Sequence, residues 1–425
     1  MQKSVILRLM RLWTVLTTML FASALAMTAQ AIPSSSSLER GANVLVRNAE
    51  AFLEARVDAK SMLLSSLQTP PKPLILRVLI GQQSKANLIF PTSHNAAYTD
   101  GTLLSQSATP LEWNLSIQNG KIAIVTEAGL FDTGHNRLVF QTDAGGYFQF
   151  AGRVYRGAAI ITVRGGTLNV VNALDVEDYV RGVTPVEMPS SWPDEALKAQ
   201  TIIARTYAIA KLNQSGDYDV CPTAACQVYG GANVETIRGN AAADATRGLI
   251  VSWNDRPAVT YFSSDSGGYT ASGAEIWGTN TPYLQARPDP LSTAPNNPWS
   301  LKISSGTIQS VVNRYAAKAG SFRSISIPAR TESGRPSALD ITGASGSVRV
   351  IGTNVYAFIR ALGAKSSLIG ISSNNPLVLE GYGNGHGVGL SQYGARGLAA
   401  SGWTFDQILG YYYVGVSLAN YEVTQ

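Results

Sequence analysis

The chain has 425 residues, of which 45% are hydrophobic and 14% are charged, and its formal net charge is +5. This length suits two domains, or one large domain with an appendage, and the composition argues against disorder, a coiled coil and a polytopic membrane protein. Lysine and arginine form no cluster, so binding to nucleic acid or another polyanion has no support in the sequence.

The N-terminus is typical of an export signal, predicted over residues 1–31. Three basic residues precede an apolar stretch at 12–27, and the sequence Ala-Gln-Ala at 29–31 offers a cleavage site. The alternative is an uncleaved membrane anchor. In either case we expect the body of the protein outside the cytoplasm.

Residues 32–73 are predicted to form a surface helix and a linker. The stretch from Leu38 to about Leu67 has helical periodicity, and the sequence T-P-P-K-P at 69–73 ends it, because proline cannot continue a helix. A β-rich N-terminal region, 74–165, follows. Its short runs rich in Val, Ile, Tyr and Phe predict strands, and they are LILRVLIG, KIAIV, RLVFQT, YFQFAGRVYRG and AAIITVRGG, with TLNVVNAL at 167–174 as a further run.

The remaining region, 166–425, is predicted to contain one long buried helix. In the sequence SSWPDEALKAQTIIARTYAIAKL (190–212), apolar residues fill most of the helix circumference. Gln200 falls inside that apolar arc, so its side chain must hydrogen-bond internally or face a cleft. Short strands follow, with further helices predicted at 308–318, 354–362 and 405–412. The predicted fold class is α+β, with many short strands around one long buried helix and an N-terminal surface helix.

Glu187 is the first candidate for catalysis. It lies between Pro185 and Pro189, just before the long helix, and apolar residues flank it. A carboxyl group in apolar surroundings keeps its proton to higher pH, because burial disfavours the charged form. A general acid that protonates a leaving-group oxygen needs this property. The alternative is a solvated loop glutamate without a chemical role.

The glycine-rich segment 381–397 is the second candidate. Its glycines would let the backbone approach a ligand closely, but the segment fits neither the P-loop nor the dinucleotide-binding pattern. His386 lies at its centre, and Gln392 follows in a group of polar side chains suited to sugar hydroxyls or amides. A lone histidine among glycines is equally compatible with a structural role.

Ser266 belongs to the sequence D-S-G-G at 265–268, which suggests the nucleophile of a chymotrypsin-like protease. That fold orders its triad His, Asp, Ser, so His94 or His135 would have to supply the base. Neither histidine has the expected sequence context. Since the sequence S-G-G after a strand is most simply a turn, the protease is the weaker interpretation.

Cys221 and Cys226 are the two cysteines of the sequence. A structural zinc site needs about four Cys or His ligands, and no histidine lies nearby in the sequence. Outside the cytoplasm, two neighbouring thiols are most simply a disulfide. Free thiols and half of a metal site are the alternatives.

Four ordered motifs resemble the SpoIID/LytB family. The first is N-x-L-x-V-E-D-Y-V-x-G-V-x-P-x-E-M-P-x-x-W-P-x-E-A-L-K-A-Q-x-x-x-A-R-T-Y-A (172–208), and the second is C-x-x-x-x-C-Q-V-Y-x-G, which starts at Cys221. The third is S-x-S-G-G-Y-T (264–270), and the fourth is G-x-G-H-G-V-G-L-S-Q-Y-G-A (383–395). The β-rich region before them is similar to that family with weaker motifs, and the N-terminal helix is not covered.

The resemblance implies an enzyme, or an enzyme helper, that acts on bacterial peptidoglycan outside the membrane, in the periplasm, the cell wall or the extracellular space. It also implies that 166–425 is a SpoIID-like catalytic core. SpoIID, a sporulation protein, is a lytic transglycosylase that cuts glycan strands lacking stem peptides. LytB-type members are described as enhancers of an N-acetylmuramoyl-L-alanine amidase. The family's catalytic glutamate, in the E-M-P motif, falls on Glu187.

The expected function is therefore a peptidoglycan lytic transglycosylase that cleaves the MurNAc–GlcNAc bond and forms 1,6-anhydroMurNAc. Glu187 would act as the single general acid and base, with no cofactor. Contacts with the glycan are expected from other residues of the motifs, namely Gln200, Arg205, Ser266, His386 and Gln392. The alternative is a non-catalytic enhancer that binds glycan or an amidase, and the sequence alone implies no role in sporulation.

One departure from the family concerns metal. Some SpoIID proteins have a histidine directly before the second cysteine and bind zinc there, whereas Ala225 takes that place in this chain. We therefore expect no metal, and a disulfide between Cys221 and Cys226 could hold the same loop at the edge of the cleft.

Overall fold

The structure is a computed structural model that describes residues 72–98, 102–107 and 111–421. The predicted signal peptide and the predicted surface helix lie outside these described residues. Within them, no helix is both long enough and apolar enough to cross a membrane.

The described part of the first 175 residues forms two antiparallel sheets. Their strand orders are β1-β12-β11-β8-β3-β4 and β10-β9-β2-β5-β6-β7. The strands are β1 (Ile75–Gln83), β2 (Ala86–Phe90), β3 (His94–Tyr98), β4 (Leu103–Ser107), β5 (Leu111–Gln118), β6 (Lys121–Thr126), β7 (Gly129–Asp132), β8 (Arg137–Thr142), β9 (Tyr147–Phe150), β10 (Arg153–Arg156), β11 (Ala158–Arg164) and β12 (Thr167–Asp175).

One hydrophobic cluster joins the two sheets, because alternate residues of each strand point inward. Leu76 and Leu168 enter it from the first sheet, and Leu88 and Phe148 enter it from the second. The predicted boundary at 165/166 falls inside the β11–β12 hairpin. Since β12 pairs with both β1 and β11, that strand belongs to the N-terminal sheet.

The rest of the described chain is mixed. Its helices are α1 (Val176–Glu187), α2 (Asp194–Ala210), α3 (Ile237–Ala245), α4 (Gly273–Trp277), α5 (Ser305–Tyr315), α6 (Thr353–Ala361), α7 (Gln392–Ala400) and α8 (Phe405–Tyr412), with short 3₁₀ turns at Ala232–Val234 and Ala317–Ala319. Its strands are β13 (Leu249–Trp253), β14 (Arg256–Pro257), β15 (Phe262–Ser263), β16 (Trp299–Lys302), β17 (Phe322–Arg330), β18 (Pro336–Gly343), β19 (Gly346–Ile351), β20 (Leu368–Asn374), β21 (Leu377–Tyr382), β22 (Leu390–Ser391) and β23 (Ser417–Asn420).

Helix α2 lies between two hydrophobic cores. Ala204 and Ala208 pack in the N-terminal cluster, whereas Ile202 and Ile203 pack in a second cluster formed with the C-terminal helices. The acidic residues in the first turn of α2 stabilise the helix by interacting with the positive end of its dipole. At 299–379 the structure differs from the predicted arrangement of all strands around one helix. Residues of this range form a third hydrophobic cluster, which is a separate core.

Candidate functional site

Glu187 is the last residue of α1, and its position follows from the way that helix ends. Pro185 lies in the final turn, and Met188 is extended, with its N–H donated to the carbonyl of Thr184. Met188 is fully buried in a cluster with Trp192, which fixes the end of the helix. Because the carbonyl end of a helix carries partial negative charge, a carboxylate is disfavoured there.

The Glu187 side chain is half-buried, and its Oε1 accepts a hydrogen bond from the backbone N–H of Val228 at 2.8 Å. Burial raises the pKa of the Glu187 carboxyl above its usual value. The Val228 N–H favours the charged form and opposes only part of this rise. The carboxyl therefore keeps its proton to higher pH than an ordinary glutamate while remaining partly exposed.

A disulfide loop holds the donor of this hydrogen bond. The structure joins Cys221 and Cys226 in a disulfide, with their Cα atoms 5.6 Å apart. Cys226 packs against the N-terminal core. The next residue, Gln227, is buried, and its side-chain oxygen accepts a hydrogen bond of 3.1 Å from the Tyr179 hydroxyl on α1. These two anchors come directly before Val228, so they fix the backbone N–H that meets the carboxyl.

The same loop bears on the question of metal binding. In the disulfide, neither Cys221 nor Cys226 can act as a thiolate ligand. Among the described residues, no three His, Cys, Asp or Glu side chains lie close enough together to hold a metal ion.

Gln392 and Gln200 meet behind Glu187. The Nε2 of Gln392, at the start of α7, donates to the main-chain carbonyl of Glu187 at 2.9 Å and to Oε1 of Gln200 at 3.3 Å. The side chain of Gln200 is fully buried. The expected contact between Gln200 and the glycan is therefore replaced by an internal one, and both amides position the end of α1.

Arg205 does not face a substrate. It is 0% exposed, and its Nη2 lies 2.7 Å from the Oε2 of Glu177 on α1. Its Nη1 donates to the carbonyl of Leu249 on β13 at 3.0 Å. The expected glycan contact was wrong, since the guanidinium of Arg205 is enclosed in a buried ion pair that ties α2 to α1.

Ser266 is also an internal residue. It is fully buried, and its hydroxyl donates to Oδ2 of Asp289 at 2.7 Å and accepts from the N–H of Gly268 at 3.2 Å. Burial raises the pKa of Asp289 to about 6, although the hydroxyls of Ser266 and Tyr412 favour its charged form. The expected contact of Ser266 with the glycan is wrong for the same reason as that of Arg205.

The glycines of the 381–397 segment pack against the protein itself. A side chain at Gly387 would meet the buried guanidinium of Arg335, and one at Gly389 would meet the carbonyl of Tyr261. Both glycines have positive φ, 78° and 70°, a conformation that other residues rarely adopt. Their role is internal packing, which corrects the expectation that they bring the backbone close to a ligand.

His386 is half-buried and lies among aromatic rings. Its Nδ1 accepts the N–H of Val388 at 3.0 Å, and its ring centroid lies 5.1 Å from that of Trp277 and 6.2 Å from that of Tyr261. Burial lowers the pKa of His386 to about 4, and the nearby charge of Arg335 adds to the effect. The imidazole is therefore neutral at ordinary pH, and no hydrogen bond or ion pair joins it to Glu187 within the described part of the chain.

Sequence reasoning missed several residues of this arrangement. The Val228 contact uses a backbone N–H, which no side-chain pattern reveals. Asp289 and Glu177 are distant in sequence from the residues that they hold. Trp277 and Tyr261 lie in short segments without a motif, so only their proximity to His386 in the fold identifies them.

The fold and the site define an α+β protein that presents a glutamate of raised pKa at the end of a helix. The model of the SpoIID family, described as a stage II sporulation protein, matches residues 164–253. An uncharacterised protein of Brachyspira hyodysenteriae is 32% identical over 320 residues, which is 74% of this chain and 84% of that relative. The chain belongs to the SpoIID/LytB family.

Two relatives with descriptive names match more loosely. The amidase enhancer of Bacillus subtilis is 30% identical over 289 residues, which is 57% of this chain and 40% of the enhancer. The stage II sporulation protein D of Bacillus subtilis is 29% identical over 268 residues, which is 59% of this chain and 76% of that protein.

Proposed function

We propose that the protein is exported and cuts peptidoglycan glycan strands as a lytic transglycosylase, with Glu187 as its single general acid and base. The observation that carries this proposal is the Glu187 carboxyl, which is half-buried at a helix end with a raised pKa. Membership of the SpoIID/LytB family supports the substrate class.

The hydrogen bond from Val228 suggests how the two carboxyl oxygens divide their roles. Oε1 accepts the backbone N–H, which leaves Oε2 to carry the proton. In the first step this proton moves to the glycosidic oxygen between N-acetylmuramic acid and N-acetylglucosamine. The bond from C1 to that oxygen breaks, the N-acetylglucosamine hydroxyl leaves, and positive charge develops at C1.

The second step returns the proton. The C6 hydroxyl of the same muramoyl unit attacks C1, and its proton passes to the Glu187 carboxylate, which closes the 1,6-anhydro ring. Because the nucleophile belongs to the substrate, no second carboxylate is needed, unlike in hydrolytic glycosidases. Such acid–base assistance contributes about 10²–10⁴ in rate.

The raised pKa sets the pH dependence. The first step needs the protonated carboxyl, so we expect kcat/KM to fall as pH rises through the pKa of Glu187. Because burial raises that pKa, this alkaline limb lies at higher pH than an ordinary glutamate would give.

A second candidate function is favoured by the relative named amidase enhancer. In that role the protein would bind glycan or an N-acetylmuramoyl-L-alanine amidase without cutting sugar bonds. Amidase turnover would then rise with added protein, and the Glu187→Gln variant would stimulate it equally.

Mass spectrometry of digested glycan separates the two candidates. Peptide-free glycan strands are incubated with wild type, with Glu187→Gln and with Glu127→Gln, which changes an exposed turn glutamate. The transglycosylase predicts fragments ending in 1,6-anhydroMurNAc from wild type and Glu127→Gln, and none from Glu187→Gln. Stimulation of an amidase without any anhydro product would overturn the proposal.

A further inference from the structure

Three aromatic side chains meet at the surface beside the glycine-rich segment. The ring centroids of Tyr261 and Trp277 lie 4.5 Å apart, and the imidazole of His386 contacts both. All three residues are partly exposed. They come from the residue before β15, the end of α4 and the glycine-rich segment, so only the fold brings them together.

The polar tips of two of these rings are available to a ligand. In the described part of the chain, neither the indole Nε1 of Trp277 nor the hydroxyl of Tyr261 has a hydrogen-bond partner, and neither is a buried unsatisfied atom. By contrast, the nearby Tyr413 hydroxyl donates to the Tyr261 carbonyl at 2.8 Å, and Trp299 donates to the Gly383 carbonyl at 2.9 Å. Buried Tyr and Trp groups usually find a partner, so unpaired tips at a surface suit recognition of a ligand.

The chemistry of the cluster favours an uncharged ligand. His386 is neutral at ordinary pH, because burial lowers its pKa to about 4. The guanidinium of Arg335, whose charge contributes to the lowered pKa of His386, is 2% exposed and donates to backbone carbonyls. Aromatic faces with free donors at their edges match a pyranose, which has an apolar C–H face and a rim of hydroxyl and amide groups.

Helix α2 links the aromatic cluster to the catalytic end of α1. Gln200, which contacts the amide behind Glu187, and Tyr207 are seven residues apart and so lie on one face, about 10 Å apart along the axis. The same helix also meets the segment before Tyr261, because the hydroxyl of Thr260 donates to the carbonyl of Ile203 at 2.8 Å. Helix α2 therefore contacts both the amide behind Glu187 and the residue next to Tyr261.

We propose that Tyr261, Trp277 and His386 form an aromatic subsite that binds an amino-sugar unit of the glycan strand, away from the bond that Glu187 cuts. This inference rests on the proposed function for its substrate class. The aromatic subsite makes Trp277 a residue that determines the preference for glycan chain length. Only a strand longer than the cleaved unit reaches both Glu187 and the subsite.

Binding is measured in the Glu187→Gln background, so that no substrate is consumed. The probes are a long oligomer of N-acetylglucosamine and its dimer, followed by intrinsic tryptophan fluorescence and by calorimetry. We expect Trp277→Ala to weaken binding of the long oligomer roughly three- to tenfold, the loss of one well-stacked aromatic contact. Binding of the dimer should change less.

The matched control is Trp253→Ala. Trp253 is also half-buried and tilted against a tyrosine, with its ring centroid 5.5 Å from that of Tyr283. It lies on β13, and among the described residues its ring makes no contact with the ring of His386, Tyr261 or Trp277. Trp253→Ala should bind the long oligomer as its parent does. Two milder variants keep the test valid if Trp277→Ala misfolds. Trp277→Phe should keep most of the affinity for the long oligomer and lose the fluorescence response. Tyr261→Phe should lose only the affinity that comes from a hydrogen bond of the Tyr261 hydroxyl to the ligand.

The inference fails if Trp277→Ala binds as tightly as its parent, or if Trp253→Ala loses as much. It also fails if Trp277→Phe retains the full fluorescence response. Failure of the proposed function is distinguishable from this, because binding that depends on Trp277 would persist in a protein that releases no anhydro product. Conversely, anhydro product from Trp277→Ala at the wild-type rate on long strands would reject the subsite and leave Glu187 in its role.

Discussion

Two acids of this protein, Glu187 and Asp289, share a raised pKa but differ in exposure and in their hydrogen-bond donors. Burial raises the pKa of both Glu187 and Asp289. Asp289 is enclosed by the fold and accepts hydrogen bonds from the hydroxyls of Ser266 and Tyr412. Glu187 is half-exposed at the end of α1, with a single backbone donor from Val228. A raised pKa alone therefore does not mark a catalytic acid, and access to solvent decides the role.

The largest expected difference between the two acids is catalytic. Glu187→Gln keeps the size of the side chain and removes the transferable proton, so we expect the rate of anhydro-product formation to fall about 10²–10⁴-fold. The thermal midpoint should stay at or slightly above that of wild type, because the cost of burying a carboxylate disappears. If Glu187→Gln loses thermal stability as well as rate, Glu187 has a structural role like that of Asp289.

The next effect concerns the enclosed ion pair of Arg205 and Glu177. Arg205→Met leaves Glu177 buried without its partner, which we expect to cost about 3–5 kcal/mol in the free energy of unfolding. Urea denaturation measures this, and the double variant Arg205→Met/Glu177→Gln should recover part of the loss. Arg349→Met is the control, because Arg349 and Asp340 pair on the surface, and its unfolding midpoint should barely move.

Retained stability with lost glycan binding in Arg205→Met would contradict this account. It would return Arg205 to the glycan contact that the sequence suggested.

Asp289 should govern how stability depends on pH. The pKa of Asp289 is about 6 in the folded protein and about 4 in the unfolded chain, so the folded protein binds this proton more tightly. The resulting stabilisation is complete below about pH 4 and is lost as pH rises through about 6. The difference between the folded and unfolded pKa values corresponds to about 3 kcal/mol in the free energy of unfolding. Asp289→Asn should flatten the decline in stability between these pH values, and Asp340→Asn should not.

The quantity to compare is the slope of the free energy of unfolding with pH. The absolute stability of Asp289→Asn is not informative, because the new amide also changes the contacts with Ser266 and Tyr412. An unchanged slope in Asp289→Asn would show that another group titrates.

The smallest expected effect is a shift of the pH profile of kcat/KM, which tests the hydrogen bond donated by the Val228 N–H. Val228→Pro removes the N–H that favours the Glu187 carboxylate, so the pKa of Glu187 should rise further. The alkaline limb of kcat/KM should then move to higher pH by on the order of one unit. Val228→Ala keeps the N–H and should keep the wild-type limb, and a downward shift in Val228→Pro would contradict the assignment.

Local patterns predicted much of the fold. The helix bounds 405–412 agree with α8, and the predicted runs RLVFQT and KIAIV fall on β8 and β6. Strand β3, with the sequence HNAAY, was not singled out, because alanine and asparagine have little strand propensity. Its place in the sheet comes from pairing with β4 and β8, which is a tertiary effect.

The candidate site was less predictable, because a side chain's type does not reveal its partner. Arg205 and Ser266 are polar residues inside motifs, yet their partners Glu177 and Asp289 lie 28 and 23 residues away and enclose them. Similarly, Gly387 signals an unusual backbone, but the sequence does not reveal whether a ligand or Arg335 requires it. Glu187 itself was accessible to reasoning, since prolines and apolar neighbours surround it locally.

The central claim is that burial raises the pKa of Glu187, so that its carboxyl keeps its proton to higher pH than an exposed glutamate does. Carbon-13 NMR of protein labelled at the glutamate side-chain carboxyl, with Glu187→Gln to assign the resonance, measures that titration directly. The account predicts a midpoint clearly above those of the solvent-exposed glutamates, and higher still in Val228→Pro. A midpoint within the range of the exposed glutamates would contradict it.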